Sequence, residues 1–210
     1  MNGILDIHAH LPSNPQRMDT LYSLSFPSET PTQDIHQSLG VHPWQIKEKI
    51  NWQLFEQELN NPMILAIGEC GLDKLRQETN LEDQLSCFIK QIDLSEQYKK
   101  PLIIHLVKAT DELIKLHKIK KPTQEWIVHG FRGKPEVYYM LKNQGISLSI
   151  GPNHNVQTVK QIPLDQLIIE TDTSEIKIEQ VCQNIAQIKN ISTQELIYQI
   201  YKNTNRILFR

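Results

Sequence analysis

Cysteine is scarce in this 210-residue chain: Cys70, Cys87 and Cys182 stand far apart, and no two form a CxxC spacing. An odd, scattered set excludes a disulfide framework and a cysteine-built zinc site, so the thiols are expected to be reduced. Long apolar runs are lacking as well. Nothing approaches the roughly 20 residues of a bilayer-crossing helix, and no basic segment followed by an apolar one opens the chain, so a cytoplasmic protein without a membrane part is expected. Charge of one sign is not in excess: 22 Lys and Arg against 24 Asp and Glu leave a formal net charge of −2. That excludes a general basic field, and a nucleic-acid partner would have to meet a local concentration of cations. With no internal repeat, low-complexity tract or long linker, residues 1–210 are expected to form a single domain.

What is present begins with DIHAH (6–10). Asp6, His8 and His10 take every second position in an otherwise apolar run closed by Pro12, the pattern of a short buried strand. Alternation puts these three on one face and Leu5, Ile7 and Ala9 on the other; a wholly apolar second face implies covering helices. Two histidines at i and i+2 near a strand end either pair by hydrogen bonds in the interior or converge on one metal ion.

Seven further strand candidates follow: TLYSLSF (20–26), HQSLGVHP (36–43), MILAIGE (63–69), PLIIHLV (101–107), EWIVHG (125–130), ISLSIG (146–151) and QLIIET (166–171). Apolar residues at three- and four-residue spacing mark helices at 51–59, 81–99, 109–118, 135–144, 175–189 and 193–209, the last with Ser192 or Thr193 to cap it. This alternation predicts an α/β fold, a compact (β/α)8 TIM barrel, with an open doubly wound sheet as the alternative. The first two connections are shorter than the dozen or so residues that a parallel crossover needs, so the helices among the first three strands are expected to be reduced or missing.

A barrel places its working residues at the C-terminal ends of its strands. In order, those ends carry His8 and His10, His42, Glu69, His105, His129 and Asp172, and five of the eight histidines fall there. Scattered core or surface histidines would not gather in this way, and the metal reading of DIHAH follows. Nitrogen and carboxylate donors without thiolate suit Zn, Mn, Fe or Mg. A carboxylate such as Glu69 is able to bridge two ions at about 3.5–4 Å, a pair that activates water while holding a phosphoryl or carbonyl oxygen. Hydrolysis is the chemistry such a set supports.

DIHAH, SLGVHP (38–43), AIGECGLD (66–73), PLIIH (101–105), VHGFRG (128–133), SLSIG (147–151), PLDQLIIETD (163–172) and NTNRILF (203–209) resemble, in order and over essentially the whole chain, the motifs of the TatD family of metal-dependent hydrolases. The resemblance implies a TIM barrel of the amidohydrolase type, one or two divalent ions (Zn, Mn or Mg), and deoxyribonuclease activity through a metal-activated water. Position by position, it implies that His8 and His10 bind one ion, Glu69 bridges, and His105 and His129 serve the second. Asp172 binds metal and accepts a proton from the attacking water, which makes Glu69 and Asp172 the catalytic carboxylates. His42 matches a histidine near the substrate, or is a structural strand-end residue.

The chain also departs from that family. Val107 stands where an arginine is common, two places beyond His105; Gly130 and Arg132 replace a usual cysteine and serine; and ETDTSE (170–175) lacks the proline-rich continuation. Metal chemistry is thus expected to be intact and substrate recognition altered. The loops of the expected working face carry Lys47, Lys49, Lys74, Arg76, Lys108, Arg132 and Lys134, whereas HKIKK (117–121), placed after a helix on the opposite face, reads as a solvated helix end. Lys74, Lys108 and Arg132 are candidates to replace the missing arginine as phosphate contacts, or are ordinary surface charges. Trp44 stacks a base or packs at the rim. Three functions remain open: a nuclease on DNA, a hydrolase of another phosphate ester, amide or ester, and a binding protein with a vestigial site. No obligate protein partner is evident.

Overall fold

A computed structural model describes residues 3–10, 17–46 and 49–209. Its strands are β1 (Asp6–His10), β2 (Thr20–Ser25), β3 (Gln37–Gly40), β4 (Ile64–Asp73), β5 (Leu102–Val107), β6 (Trp126–Val128), β7 (Ser147–Ile150) and β8 (Ile168–Ile169). Each pairs in parallel with the next, in chain order. Beyond β8 the ring is drawn together at β1, where the Asp172 amide donates to the His8 carbonyl at 2.9 Å and the His10 amide donates to the Asp172 carbonyl at 3.2 Å. The result is a nearly closed eight-stranded barrel, not an open sheet.

The helices are α1 (Trp52–Glu58), α2 (Leu81–Tyr98), α3 (Thr110–Lys120), α4 (Pro135–Lys142), α5 (Val156–Gln161), α6 (Ile178–Lys189) and α7 (Thr193–Leu208). Ser192 caps α7 as expected, accepting from the Glu195 amide at 3.1 Å. Between β2 and β3 turns and bends replace a helix, and between β1 and β2 residues 17–19 form a turn while 11–16 lie outside the described residues. Helix α5 was not legible, because six residues are too few to display a 3.6-residue period. HKIKK does not follow α3 but forms its last turn, where Lys120 pairs with Asp93 at 2.6 Å. None of the described helices is long and apolar enough to cross a membrane.

Alternation divides the core. Leu102, Ile104, Trp126 and Val128 face the helices and pack with Phe88, Ile92 and Leu113. Ile103 and Ile127, on the opposite face, join Ile7, Leu21, Ala66 and Ile168 in a cluster completed by Ile207 and Leu208 of α7. The NTNRILF segment is therefore structural: Asn203 donates to the Leu164 and Leu167 carbonyls, and Thr204 to the Ile4 carbonyl. Strand β1 breaks the expected alternation. Its register with β2 shifts between Asp6 and Ala9, and Leu5, Ile7 and Ala9 enter three different clusters. A bulge inserts an extra residue and so interrupts the two-residue period.

Glycine has a specific task on β4. At Gly68 and Gly71, with φ of 150° and 137°, a Cβ would come within 2.4 Å of the Ile103 carbonyl oxygen and 2.1 Å of the His105 carbonyl oxygen. The absence of side chains there lets the Glu69 backbone press against β5, where the pairing register also shifts. Gly71→Ala is accordingly expected to lower unfolding free energy by about 3 kcal/mol or more, through overpacking and backbone strain together. Gly145→Ala, at φ 82° but with no atom within 4 Å of the new Cβ, should cost only about 1 kcal/mol, the left-handed penalty alone. Urea unfolding midpoints of the two variants check the order, and equal losses would refute it.

Candidate metal centre

The carboxylate of Glu69 lies buried at the mouth of the barrel, and its two oxygens face different partners. Oε1 meets His105 Nδ1 at 2.8 Å, His129 Nε2 at 2.8 Å and His42 Nε2 at 3.1 Å. Oε2 faces His8 Nε2 at 3.4 Å and His10 Nε2 at 3.6 Å. Asp172 closes that second side, with Oδ1 at 3.4 Å from His10 Nε2 and 3.7 Å from His8 Nε2. All seven residues thus gather in one place, although β4 runs on to Asp73 and Glu69 lies mid-strand, not at the expected strand end. Three combinations bring their donor atoms within 4.8 Å of one another: His8, His10 and Asp172; His8, Glu69 and His129; His42, Glu69 and His105.

Mutual charge favours the ionised forms of Glu69, Asp172, His10 and His129. Burial raises the Glu69 pKa, but hydrogen bonds from His105 and His129 hold it well below the usual carboxylate range. Burial likewise opposes charge on His129, yet Glu170 and Glu69 push its pKa well above the ordinary imidazole value. Asp172 is lowered despite its burial by the hydrogen bond with His10, which is raised in turn. His42 is lowered by burial. Its Nδ1 accepts from the Trp44 amide at 3.2 Å, so the neutral ring carries its proton on Nε2 and donates it to Glu69.

One side chain points to a missing partner. His8 is fully buried, and neither ring nitrogen makes a hydrogen bond. A buried polar group left unmade costs about 1–3 kcal/mol, and native structures rarely tolerate it. A cation among His8, His10, Asp172 and Glu69 would satisfy it, and the nitrogen-and-oxygen donor set suits Zn, Mn or Mg. The residues present fit a divalent ion.

Two supporting carboxylates, Asp73 and Glu170, escaped the sequence reading, and a third, Asp6, was placed on a strand face without a role. Asp73 Oδ2 lies 3.3 Å from His105 Nε2 and accepts the Trp44 indole N–H at 2.8 Å. Glu170 Oε1 faces His129 Nδ1 at 3.5 Å, while its other oxygen accepts from the Ser149 hydroxyl. Carboxylates behind histidines fix ring orientation and tautomer. Asp6 accepts from the Thr171 amide at 3.0 Å and the Thr171 hydroxyl at 2.6 Å, clasping β1 to the chain just before Asp172; desolvation pushes its pKa up to about 7. Asp172 itself sits at φ 55°, in the left-handed region that few non-glycine residues adopt. The signals were adjacent: Asp73 ends AIGECGLD, Glu170 opens ETD, and Asp6 opens DIHAH.

A cavity of about 760 Å³ opens over the cluster, with Trp44, Val107, Lys108, Phe131 and Arg132 in its walls. Lys108 and Arg132 are exposed there. Lys74 is not on this wall but pairs with Glu112 at 2.5 Å. Lys49 and Lys134 are exposed, and Lys47 lies outside the described residues. The Arg76 guanidinium covers the Trp44 ring at 4.8 Å.

Comparison with known proteins gives the chain a family and a fold. A family model described as TatD related DNase matches residues 20–209. The chain is 30% identical over 188 residues to an uncharacterized metal-dependent hydrolase of Buchnera aphidicola, covering 79% of this chain and 71% of that one. It is 29% identical over 189 residues to the deoxyribonuclease TATDN3 of Homo sapiens, covering 76% and 69%. The crystal structure of YJJV, a TatD homolog from Escherichia coli, superposes with a TM-score of 0.81 over 91% of this chain and 86% of that one; at 19% identity the likeness is one of fold.

Metal added to chelator-stripped protein should therefore raise its melting temperature, by the equivalent of about 2.7 kcal/mol at a hundredfold excess over Kd. His8→Leu should lose much of that increment while costing the metal-free protein little, because its nitrogens have no hydrogen bonds to forfeit. Differential scanning fluorimetry with Zn, Mn and Mg checks this, and an identical shift in both proteins would remove His8 from the site.

Proposed function

Because this chain belongs to the TatD related DNase family of metal-dependent hydrolases, we propose that it hydrolyses phosphodiester bonds in DNA with two divalent ions at the barrel mouth. The observation that carries the reading is the division of the histidines between the two oxygens of Glu69. His8, His10 and Asp172 would hold one ion, His105 and His129 the other, and Glu69 both. Such ions, when bound, act as a Lewis acid toward a phosphoryl oxygen and lower the pKa of water.

The chain's own groups divide the remaining work. His42 donates to Glu69 and fixes its rotamer instead of contributing a lone pair. Asp73 and Glu170 set the tautomers of His105 and His129. Asp172 is the proton acceptor for the attacking water, since its carboxylate stands beside His8 and His10 at the solvent-facing side of the cluster. Lys108 and Arg132 meet the charge of the substrate phosphate, the role that an arginine at position 107 would otherwise fill. The name of the human relative, a deoxyribonuclease, supports DNA as the substrate class. A vestigial site is disfavoured by the convergence of all six donors.

Single-stranded DNA, RNA, simple phosphodiesters and lactones assayed with Mn, Mg and Zn test the reading, with DNA expected to be cleaved. Lys108→Ala and Arg132→Ala should each lower kcat/KM about two- to tenfold at unchanged metal content, as loss of an exposed phosphate contact does. Lys74→Ala, already paired with Glu112, should match wild type. Turnover of lactones with no phosphodiester cleaved would sink the proposal.

A further inference from the structure

On three neighbouring parts of the barrel mouth, the residue two places beyond a clustered histidine is apolar: Trp44 beyond His42, Val107 beyond His105, and Phe131 beyond His129. All three line the cavity over the site. Within β5 the two-residue spacing puts Val107 on the face that carries His105. Val107 is half-buried and stands apart from the apolar clusters of the described residues, whereas Leu106 packs on the core. Nothing in the core therefore accounts for an apolar side chain at this point.

The two rings are held in place before any ligand arrives. Trp44 is fixed by its indole bond to Asp73, and its ring meets His42 edge-on at a centroid distance of 4.8 Å and His105 at 5.7 Å. Phe131 is a buried member of the main apolar core, with its ring against the backbone at Gly133, where a Cβ would come within 2.6 Å of its Cζ. Each apolar member also has a cation as its neighbour: Lys108 follows Val107, Arg132 follows Phe131, and the Arg76 guanidinium lies over Trp44. A ligand complementary to this wall presents a flat, weakly polar face beside an anionic group, within the volume range of a small-molecule pocket.

We infer that Trp44 and Val107, backed by the buried Phe131, form a nucleobase subsite next to the histidine cluster, and that the base adds its hold on the substrate to that of Lys108 and Arg132 on the phosphate. The inference rests on the phosphodiesterase reading and deepens it. The collar offers the exposed Trp44 ring and a methyl-bearing side chain, so it distinguishes a base from no base and not one base from another, because every base has a face to stack.

The test uses calorimetric titration of the metal-loaded protein with two probes, thymidine 5′-monophosphate and 1-O-methyl-2-deoxyribose 5-phosphate, in which a methoxy group takes the place of the base. Wild type is expected to bind the nucleotide about tenfold more tightly, within the usual range for one stacked base. Trp44→Ala and Val107→Asn should each shrink that ratio below about threefold, with melting temperature and metal content as the check on folding. Val107→Asn is the safer of the two, because Trp44 also holds Asp73. Equal affinity of wild type for both probes, binding of neither, or a ratio unchanged in both variants would overturn the subsite. Oligonucleotide hydrolysis run alongside separates the two ideas. DNA cleavage without a base-dependent ratio removes the subsite alone; a base-dependent ratio without cleavage of any phosphodiester upholds the subsite and removes the assigned activity.

Discussion

An ionised carboxylate buried among imidazoles governs this structure. Removing a charge from water costs several kcal/mol unless partners compensate it, and Glu69 draws its partners from both sides of the barrel: His8 and His10 of β1, His42 after β3, His105 of β5 and His129 after β6. The demand is symmetrical. A buried imidazole such as His129 would be costly as a cation, and Glu170 and Glu69 are what make its charge tolerable. Only a ring of parallel strands brings so many chain-distant positions to a single point with one edge of each facing solvent.

Around that carboxylate the supporting groups form a second tier with a distinct physical purpose. Asp73 serves His105 and Trp44 at once, so the orientation of a cluster histidine is tied to the orientation of a ring in the cavity wall. Glu170 stands between His129 and Ser149. These links make the site stiff, and stiffness at the scale of a few tenths of an ångström is what positioned hydrolytic chemistry requires. Charge on the outer rim, at Lys108 and Arg132, is exposed by comparison, which separates the part of the site that fixes chemistry from the part that selects substrate.

Much of this was readable from the chain because the governing patterns are local. Alternation in DIHAH, a histidine at the end of PLIIHLV and another at the end of EWIVHG are one-dimensional signals, and parallel strands convert them directly into convergence. The hidden part was what depends on neighbours. Asp73, Glu170 and Asp6 look like any acidic residues until the adjacent strand is placed beside them, and Lys74 looked available until α3 brought Glu112 to it. The irregularity of β1 was invisible for a related reason: a bulge is a mismatch between two strands, so neither strand alone displays it. Helix α5 fell below the length at which periodicity speaks.

The seam between β8 and β1 has a consequence for how the molecule is made. Asp6 and Thr171 are 165 residues apart, and the backbone bonds that draw the ring shut belong to His8, His10 and Asp172. One half of the cluster, built from His42, Glu69, His105 and His129, is complete once the middle of the chain has been synthesised. The other half waits for nearly the last quarter to arrive and dock on the first strand, and N-terminal portions of a chain emerge and begin folding first. A partly synthesised chain therefore carries His8 and His10 without Asp172, and the full set of donors comes together only at the close of assembly, when the two ends of the barrel meet.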